Sequence, residues 1–189
     1  MNIAQVDIKI DVTALRDKLI AHPELFGTHP NRIVAENSPH RESSDIWVRY
    51  GDYDKLGENV FIEEHDSVWY QVLNDIPEVV PIVFQLMSRV LGERLGGVLI
   101  TKLPKGKKIY SHIDTIGWHP AYYQKFYIPI SNKPGAVFGF EDDGEIAAKE
   151  GEAYWFRNDV PHWVNNDSDE DRIAMVVAIK PYSGDINDK

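Results

Sequence analysis

The spacing of apolar and polar residues changes character near Gly96. Before that point the first clear element is the segment from Thr13 to Ala21, in which Leu15 and Leu19 lie four residues apart and so share one face of a helix. Pro23 follows two residues after Ala21 and disfavours continuation of the helix. The pattern therefore predicts a short amphipathic helix over Thr13–Ala21.

A second helix is predicted from about Glu78 to Leu91. Pro77 stands at its start and Gly92 just past its end, which is the usual placement of these two residues at helix boundaries. Between the two helices, Asp45–Tyr50 (DIWVRY) has the composition of a strand.

After Gly96 the apolar runs shorten to between four and nine residues, are rich in Val, Ile, Tyr and Phe, and are separated by Gly, Pro and Asn-Asp clusters. Runs of this kind, with no helical segment between them, are typical of an antiparallel sandwich or barrel. The predicted strands are Gly97–Leu103, Lys108–Asp114, Gln124–Ile130, Ala136–Glu141, Glu145–Lys149, Glu152–Phe156, His162–Asn165 and Arg172–Lys180. We expect a mainly β (α+β) fold, a jelly roll with N-terminal supporting helices; an immunoglobulin-like sandwich is the alternative.

The chain length fits one compact domain. Its 189 residues are enough for a single core, and no linker-like or repeated segment divides them. We therefore predict a single domain over 1–189, with helical support and N-terminal strands in 1–95 and the jelly-roll core in 96–182.

Composition narrows the function classes. With 20 Lys plus Arg against 30 Asp plus Glu, the net charge of −10 repels nucleic-acid backbones and anionic membrane surfaces. We therefore expect no nucleic-acid partner, and no apolar run is long enough to span a membrane. There are no cysteines, so any metal must be bound by His, Asp or Glu. We expect a cytoplasmic protein; the oligomeric state stays open.

One strand carries a pair of potential metal ligands. In KIYSHID, residues two apart point to the same side, so His112 and Asp114 converge. His162, at the entry of another predicted strand, is the natural third ligand. Two His and one carboxylate on one face of a metal suit non-haem Fe(II) in oxygenases. The alternative is structural, with His112 hydrogen-bonded to Asp114 at the surface.

An arginine ten residues after His162 opens the most apolar run of the chain. Arg172 precedes IAMVVAI, and a guanidinium at the start of a buried strand is costly unless it meets an anion. That anion is either one of the neighbouring acidic residues Asp169, Glu170 and Asp171 or a bound carboxylate.

These motifs together resemble the aspartyl/asparaginyl β-hydroxylase family, which comprises Fe(II)- and 2-oxoglutarate-dependent dioxygenases on a double-stranded β-helix core. The resemblance covers Gly97–Tyr182. Its first half is the turn LPKG followed by His112 and Asp114; its second is residues 150–179, an E-G turn, an aromatic strand, His162, an Asn-rich turn and Arg172.

The resemblance implies a set of site residues and cofactors. His112, Asp114 and His162 would hold Fe(II), and Arg172 would bind the distal carboxylate of 2-oxoglutarate, aided by Thr101. The reaction would consume O2 and release succinate and CO2, with ascorbate as a possible reductant. Where the family commonly has an Arg-x-His pair for the other end of the cosubstrate, this chain offers Lys125 and Tyr127.

The substrate is expected to be an amino acid, either a free small molecule or a residue in a protein. Trp118, His119 and Tyr122 follow the metal-binding strand and are the candidate substrate contacts, because loops at a barrel mouth position ligands. Arg49, with His40, is a candidate polar clamp from the N-terminal region. Two other functions stay open, a metal-binding cupin-like isomerase and a non-catalytic jelly-roll binding module.

Overall fold

Two antiparallel sheets make up most of the structure, a computed structural model in which residues 1–27, 32, 34 and 37–183 are described. The strands are β1 (Ile3–Lys9), β2 (Ser44–Gly51), β3 (Ser67–Trp69), β4 (Gly92–Leu103), β5 (Lys108–His112), β6 (Gln124–Ser131), β7 (Ala136–Phe140), β8 (Gly144–Ile146), β9 (Glu152–Phe156), β10 (His162–Asn166) and β11 (Arg172–Pro181). The helices are α1 (Thr13–Ala21), α2 (Tyr53–Leu56), α3 (Val79–Arg89) and α4 (Trp118–Tyr122).

The larger sheet has the strand order β1-β9-β6-β11-β4-β2-β3, and the smaller sheet has the order β5-β10-β7-β8. Neighbouring strands pair antiparallel throughout the described residues. The predicted mainly β jelly roll with supporting helices is therefore confirmed. Strands from the N-terminal half, β1, β2 and β3, hydrogen-bond into the same large sheet as the C-terminal strands.

Helix and strand boundaries differ from the predicted ones at a few places. Helix α1 has the predicted bounds, whereas α3 ends at Arg89, and Leu91 takes a left-handed conformation with φ of 52°. Strand β5 ends at His112, so Asp114 lies beyond the strand on which it was expected. The short elements β1, β3, α2 and α4 have no predicted counterpart.

Alternation along β11 separates the two cores and positions the site. Ile173, Met175 and Val177 point into the core that the large sheet forms with α1 and α3. Ala174 points into the second core, between the two sheets, where it meets aromatic residues of β7. Because side chains two apart share a face, Arg172 lies on the inter-sheet side, together with Ala174.

The helices of the described residues are all short, and none of them has the length and apolar character that a membrane crossing requires.

Candidate active site

Two histidines come together where the strands of the small sheet pair. His112 ends β5 and His162 begins β10, and the antiparallel register places them opposite each other, with ring centroids 4.3 Å apart. In each ring Nδ1 contacts the backbone carbonyl oxygen two residues earlier. His112 Nδ1 lies 2.8 Å from the Tyr110 carbonyl oxygen, and His162 Nδ1 lies 2.9 Å from the Val160 carbonyl oxygen. A carbonyl accepts only, so Nδ1 carries the proton in both rings and Nε2 keeps a free lone pair.

Asp114 reaches the same point from the loop after β5. Its backbone N–H donates to the Asn158 carbonyl oxygen at 2.7 Å, and the Asn158 side-chain amide donates back to the Asp114 carbonyl oxygen at 3.0 Å. The carboxylate then lies between the histidines, with Oδ1 3.6 Å from His112 Nε2 and Oδ2 3.7 Å from His162 Nε2. The two imidazoles and the carboxylate therefore converge, as the sequence predicted.

The charge states in this cluster suit metal binding. Burial alone would raise the pKa of the Asp114 carboxyl, but Lys125 and the two histidines outweigh it and hold that pKa far below its ordinary value. Burial lowers the pKa of His162 to about 4 and also lowers the pKa of His112. At neutral pH the group thus offers two neutral imidazoles and one ionised carboxylate, the protonation states that divalent metals require.

A third imidazole, from His40, lies beside this cluster. His40, His112 and Asp114 each offer a ligand atom within 4.8 Å of one another. Both ring nitrogens of His40, however, lie within 2.9 Å of Nη2 of Arg32. A guanidinium at that distance competes with a metal cation for the lone pair, whereas Nε2 of His162 faces the Asp114 carboxylate. The geometry therefore favours His162 over His40 as the third ligand.

The inner side of the cluster opens on a small cavity of about 60 Å³ between the sheets. Arg172, Thr101 and Tyr127 all line it, as expected of residues that share one face of the large sheet. The Arg172 side chain is buried at 3% exposure and its guanidinium lies 5.1 Å from the centre of the Tyr127 ring. Among the described residues its Nε has no hydrogen-bond partner. A buried guanidinium with an unused donor fits a carboxylate ligand.

The resemblance implies that Thr101 assists Arg172, but the hydroxyl of Thr101 binds another residue in the structure. Its Oγ1 donates to Oδ1 of Asp45 at 2.7 Å, and Asp45 is 1% exposed. Lys125 likewise contacts a protein group, with Nζ 2.5 Å from Oδ2 of Asp114. Both residues border the cluster, but each is held by a carboxylate of the protein itself.

The outer side of the cluster opens on a larger cavity of about 470 Å³. Its walls are mostly apolar and aromatic, and its polar lining includes His40, Asp114, His119 and Lys125. Among the expected substrate contacts, His119 lines this cavity. Trp118, Tyr122 and Arg49 do not: Trp118 stacks on Tyr122 at 4.5 Å between ring centres, and Arg49 lies 5.0 Å from the Trp69 ring.

Arg32 is the residue at this site that the sequence did not single out. It lines both cavities. No local motif marks it, and it lies 80 residues before His112 in the chain.

Comparison with known proteins supports the same chemistry. The family model for aspartyl/asparaginyl β-hydroxylase matches residues 31–181, well over half of the chain. No curated protein matches significantly.

Solved structures resemble the fold at low sequence identity. A prolyl-4-hydroxylase from Pseudomonas putida aligns with a TM-score of 0.59 and 13% identity, covering 96% of this chain and 93% of its own. A viral collagen prolyl hydroxylase from Paramecium bursaria Chlorella virus-1, in complex with 2-oxoglutarate, aligns with a TM-score of 0.51 and 13% identity, covering 97% of both chains. A 2-oxoglutarate-Fe(II) oxygenase family oxidoreductase from Burkholderia pseudomallei aligns with a TM-score of 0.55 and 12% identity, covering 75% of this chain and 69% of its own.

The jelly-roll fold, the His-His-Asp cluster between two cavities and the extent of the family match lead to one assignment. This chain belongs to the aspartyl/asparaginyl β-hydroxylase family and is an enzyme of the Fe(II)- and 2-oxoglutarate-dependent oxygenase type.

Proposed function

We propose that this enzyme hydroxylates an amino acid, with His112, Asp114 and His162 as the iron ligands and Arg172 as the anchor for the distal carboxylate of 2-oxoglutarate. The observation that carries the proposal is the position of the cluster. It separates a small inner cavity containing a buried arginine from a large outer cavity with apolar walls. Cosubstrate and substrate would thus approach the metal from opposite sides.

The protein residues prepare this site before any ligand binds. The Nδ1 bonds to the Tyr110 and Val160 carbonyls fix both imidazole rings with Nε2 towards Asp114. Such outer partners orient metal ligands and raise their basicity. The hydrogen bonds between Asn158 and the Asp114 backbone hold the loop that carries the carboxylate.

We assign the inner cavity to the distal carboxylate of 2-oxoglutarate. Arg172 presents a planar fork that matches a carboxylate bidentately, and its burial excludes water that would compete for the guanidinium. Tyr127 lies under Arg172 and limits its rotation. When bound, iron and 2-oxoglutarate supply the oxidative chemistry, in which one oxygen atom of O2 enters succinate, CO2 is released and the other oxygen atom enters a C–H bond of the substrate.

Succinate formation tests the proposal. Purified protein is incubated with Fe(II), ascorbate and 2-oxoglutarate, with and without amino acids, and succinate is measured by mass spectrometry. We expect succinate from the wild-type chain, including slow turnover without substrate, and none from His112→Ala. Metal binding without any succinate under all conditions would contradict the oxygenase assignment and favour the cupin-like isomerase, whereas absence of metal binding would favour a non-catalytic module.

A further inference from the structure

We infer that Arg32 binds the α-carboxylate of the substrate in the outer cavity, so that the substrate is a free amino acid and not a residue within a protein chain. This inference rests on the proposed function and names the substrate class of the same site.

Arg32 lies close to the proposed metal ligands. Its Nη2 lies 2.8 Å from Nδ1 and 2.9 Å from Nε2 of His40, whose ring centre is 4.7 Å from that of His112. Arg32 is thus separated from a proposed iron ligand by a single imidazole ring. A carboxylate bound by Arg32 would keep the rest of a small molecule close to the metal.

The Arg32 guanidinium keeps hydrogen-bond donors that protein groups do not use. A guanidinium has five N–H groups. A neutral imidazole has one acceptor nitrogen, so His40 accounts for only one of them. Asp45 lies 3.4 Å from Nη1 as an ion pair without a hydrogen bond between the two groups. The Arg32 side chain retains 25% exposure and lines both cavities, so donors remain for a ligand.

Asp45 also restrains Arg32. Asp45 is buried at 1% exposure and accepts a hydrogen bond from Thr101 Oγ1 at 2.7 Å. It lies on β2, directly opposite Thr101 on β4. A carboxylate held on the sheet 3.4 Å from Nη1 therefore restrains the guanidinium electrostatically, which reduces the conformational entropy lost when it binds a ligand.

The charge of the outer cavity favours an anionic ligand. Its described lining contains two Lys or Arg side chains, Lys125 and Arg32, and one carboxylate, Asp114. Lys125 contacts Asp114 at 2.5 Å, whereas Asp45, the ion-pair partner of Arg32, is not part of this lining. Of the two cations, Arg32 is thus the one whose charge no carboxylate of the cavity lining offsets. The remaining walls are largely apolar, with Trp47, Phe61 and other hydrophobic side chains. A small carboxylate with an apolar body is complementary to this cavity.

The volume of the outer cavity also fits a small carboxylate ligand. A volume of about 470 Å³ falls within the range of small-molecule sites. A residue inside a protein chain has amide groups on both sides and no α-carboxylate, so apart from an Asp or Glu side chain it offers Arg32 no carboxylate besides that of Asp45. A free amino acid always supplies one at its α-carbon.

Calorimetry tests the inference independently of turnover. Each of the twenty L-amino acids is titrated into the full chain with Mn(II) and 2-oxoglutarate, where Mn(II) replaces iron so that binding is measured without reaction. The carboxamide of each binding amino acid is then titrated in the same way. The variants are Arg32→Gln, Arg32→Lys and the matched control Arg41→Gln. Arg41 is exposed, stacks on Tyr110 at 3.5 Å and lies outside both cavities.

We expect at least one free amino acid to bind the wild type, and to bind Arg41→Gln with the same affinity. We expect its carboxamide and Arg32→Gln each to lose at least tenfold in affinity, and Arg32→Lys to lose less. Equal binding of acid and carboxamide, unchanged affinity in Arg32→Gln with thermal unfolding like the wild type, or no amino acid binding at all would each overturn the inference. Failure of the proposed function is a separate result, the absence of succinate with Fe(II) in place of Mn(II).

Discussion

The ammonium group of Lys125 lies 2.5 Å from Oδ2 of Asp114, the carboxylate oxygen that also faces His162. The cluster proposed to bind iron therefore includes a protein cation next to one of its ligands. That cation neutralises the carboxylate in the absence of metal. An ammonium has three donors, so Lys125 also retains donors for an anion bound close to Asp114.

Replacing Lys125 with Met separates these two roles. Removal of the ammonium removes its repulsion of Fe(II), so we expect the affinity for Mn(II) or Fe(II) to be unchanged or increased. The affinity for dianionic 2-oxoglutarate should fall by roughly tenfold, since a charge-assisted hydrogen bond is lost. Lys125→Arg keeps the charge and serves as the control. Calorimetry with each ligand measures both affinities, and unchanged 2-oxoglutarate binding in Lys125→Met would show that Lys125 serves Asp114 alone.

The two histidines of the cluster should differ in their effect on stability. Both His112→Ala and His162→Ala should lose metal binding, because each removes a ligand. The His162 side chain is 5% exposed and lies against Phe138 and Phe156, with ring centres 5.9 and 5.6 Å away. We expect His162→Ala to lower the free energy of unfolding by about 1–3 kcal/mol, because it leaves a cavity among aromatic rings.

His112 borders the open cavity with 13% side-chain exposure, so His112→Ala should change the free energy of unfolding by less than His162→Ala. Urea unfolding of the metal-free proteins measures both effects, with His22→Ala as a surface control whose side chain is 47% exposed. Retained metal affinity in either cluster variant would show that the corresponding histidine is not a ligand.

Arg172→Lys should affect the cosubstrate far more than the metal. Lysine keeps the positive charge but lacks the fork that binds a carboxylate bidentately, so we expect 2-oxoglutarate affinity to fall by roughly tenfold or more. Metal affinity should change much less, because Arg172 lies on the inner-cavity side and is not in the ligand cluster. Titration of 2-oxoglutarate into the Mn(II)-loaded protein gives the first quantity and titration of Mn(II) alone gives the second. Equal losses in both would indicate a general disturbance of the site.

Elements that a short sequence pattern encodes could be predicted, whereas positions that depend on contacts between distant residues could not. Strand β11 was readily predicted, because one of its faces is fully buried and its apolar run is long. His112 and His162 were found because each lies at or near the end of a predicted strand, where two residues of a metal-ligating type recur. The residues of β1 alternate between partly buried apolar and exposed polar side chains, which is the pattern of a half-buried edge strand, so this strand could have been predicted from the sequence.

The positions of side chains that depend on contacts between residues far apart in the chain could not be read from the sequence pattern. Asp114 was expected beside His112 and lies there, but the strand ends at His112, and the position of Asp114 depends on hydrogen bonds to Asn158, 44 residues away. Arg32 and His40 reach the cluster from a part of the chain whose sequence shows no hydrophobic periodicity. Their positions are set by tertiary contacts such as the Arg32–Asp45 ion pair, which no local spacing encodes.

His119 is buried beside the outer cavity and acts as an acceptor for the main chain. Its Nε2 accepts a hydrogen bond from the Gly97 N–H at 3.1 Å. Its ring packs against Tyr50 and Tyr123, with centres 4.8 and 4.6 Å away, and stacks on His65 at 5.8 Å. Burial above all, and then the charges of Lys125 and His65, lower the pKa of His119 to about 3.

This low pKa makes stability depend on pH. Between about pH 6.5 and pH 3 the unfolded chain binds a proton at His119 and the folded chain does not, so the free energy of unfolding falls as the pH falls. One such group lowers the free energy of unfolding by about 2 kcal/mol between pH 7 and pH 5. His119→Gln can still accept from Gly97 but cannot titrate, so urea unfolding should show a smaller loss than in the wild type over that interval. The other buried histidines are unchanged in the variant, and an equal loss in both proteins would therefore assign the pH dependence to those groups instead of His119.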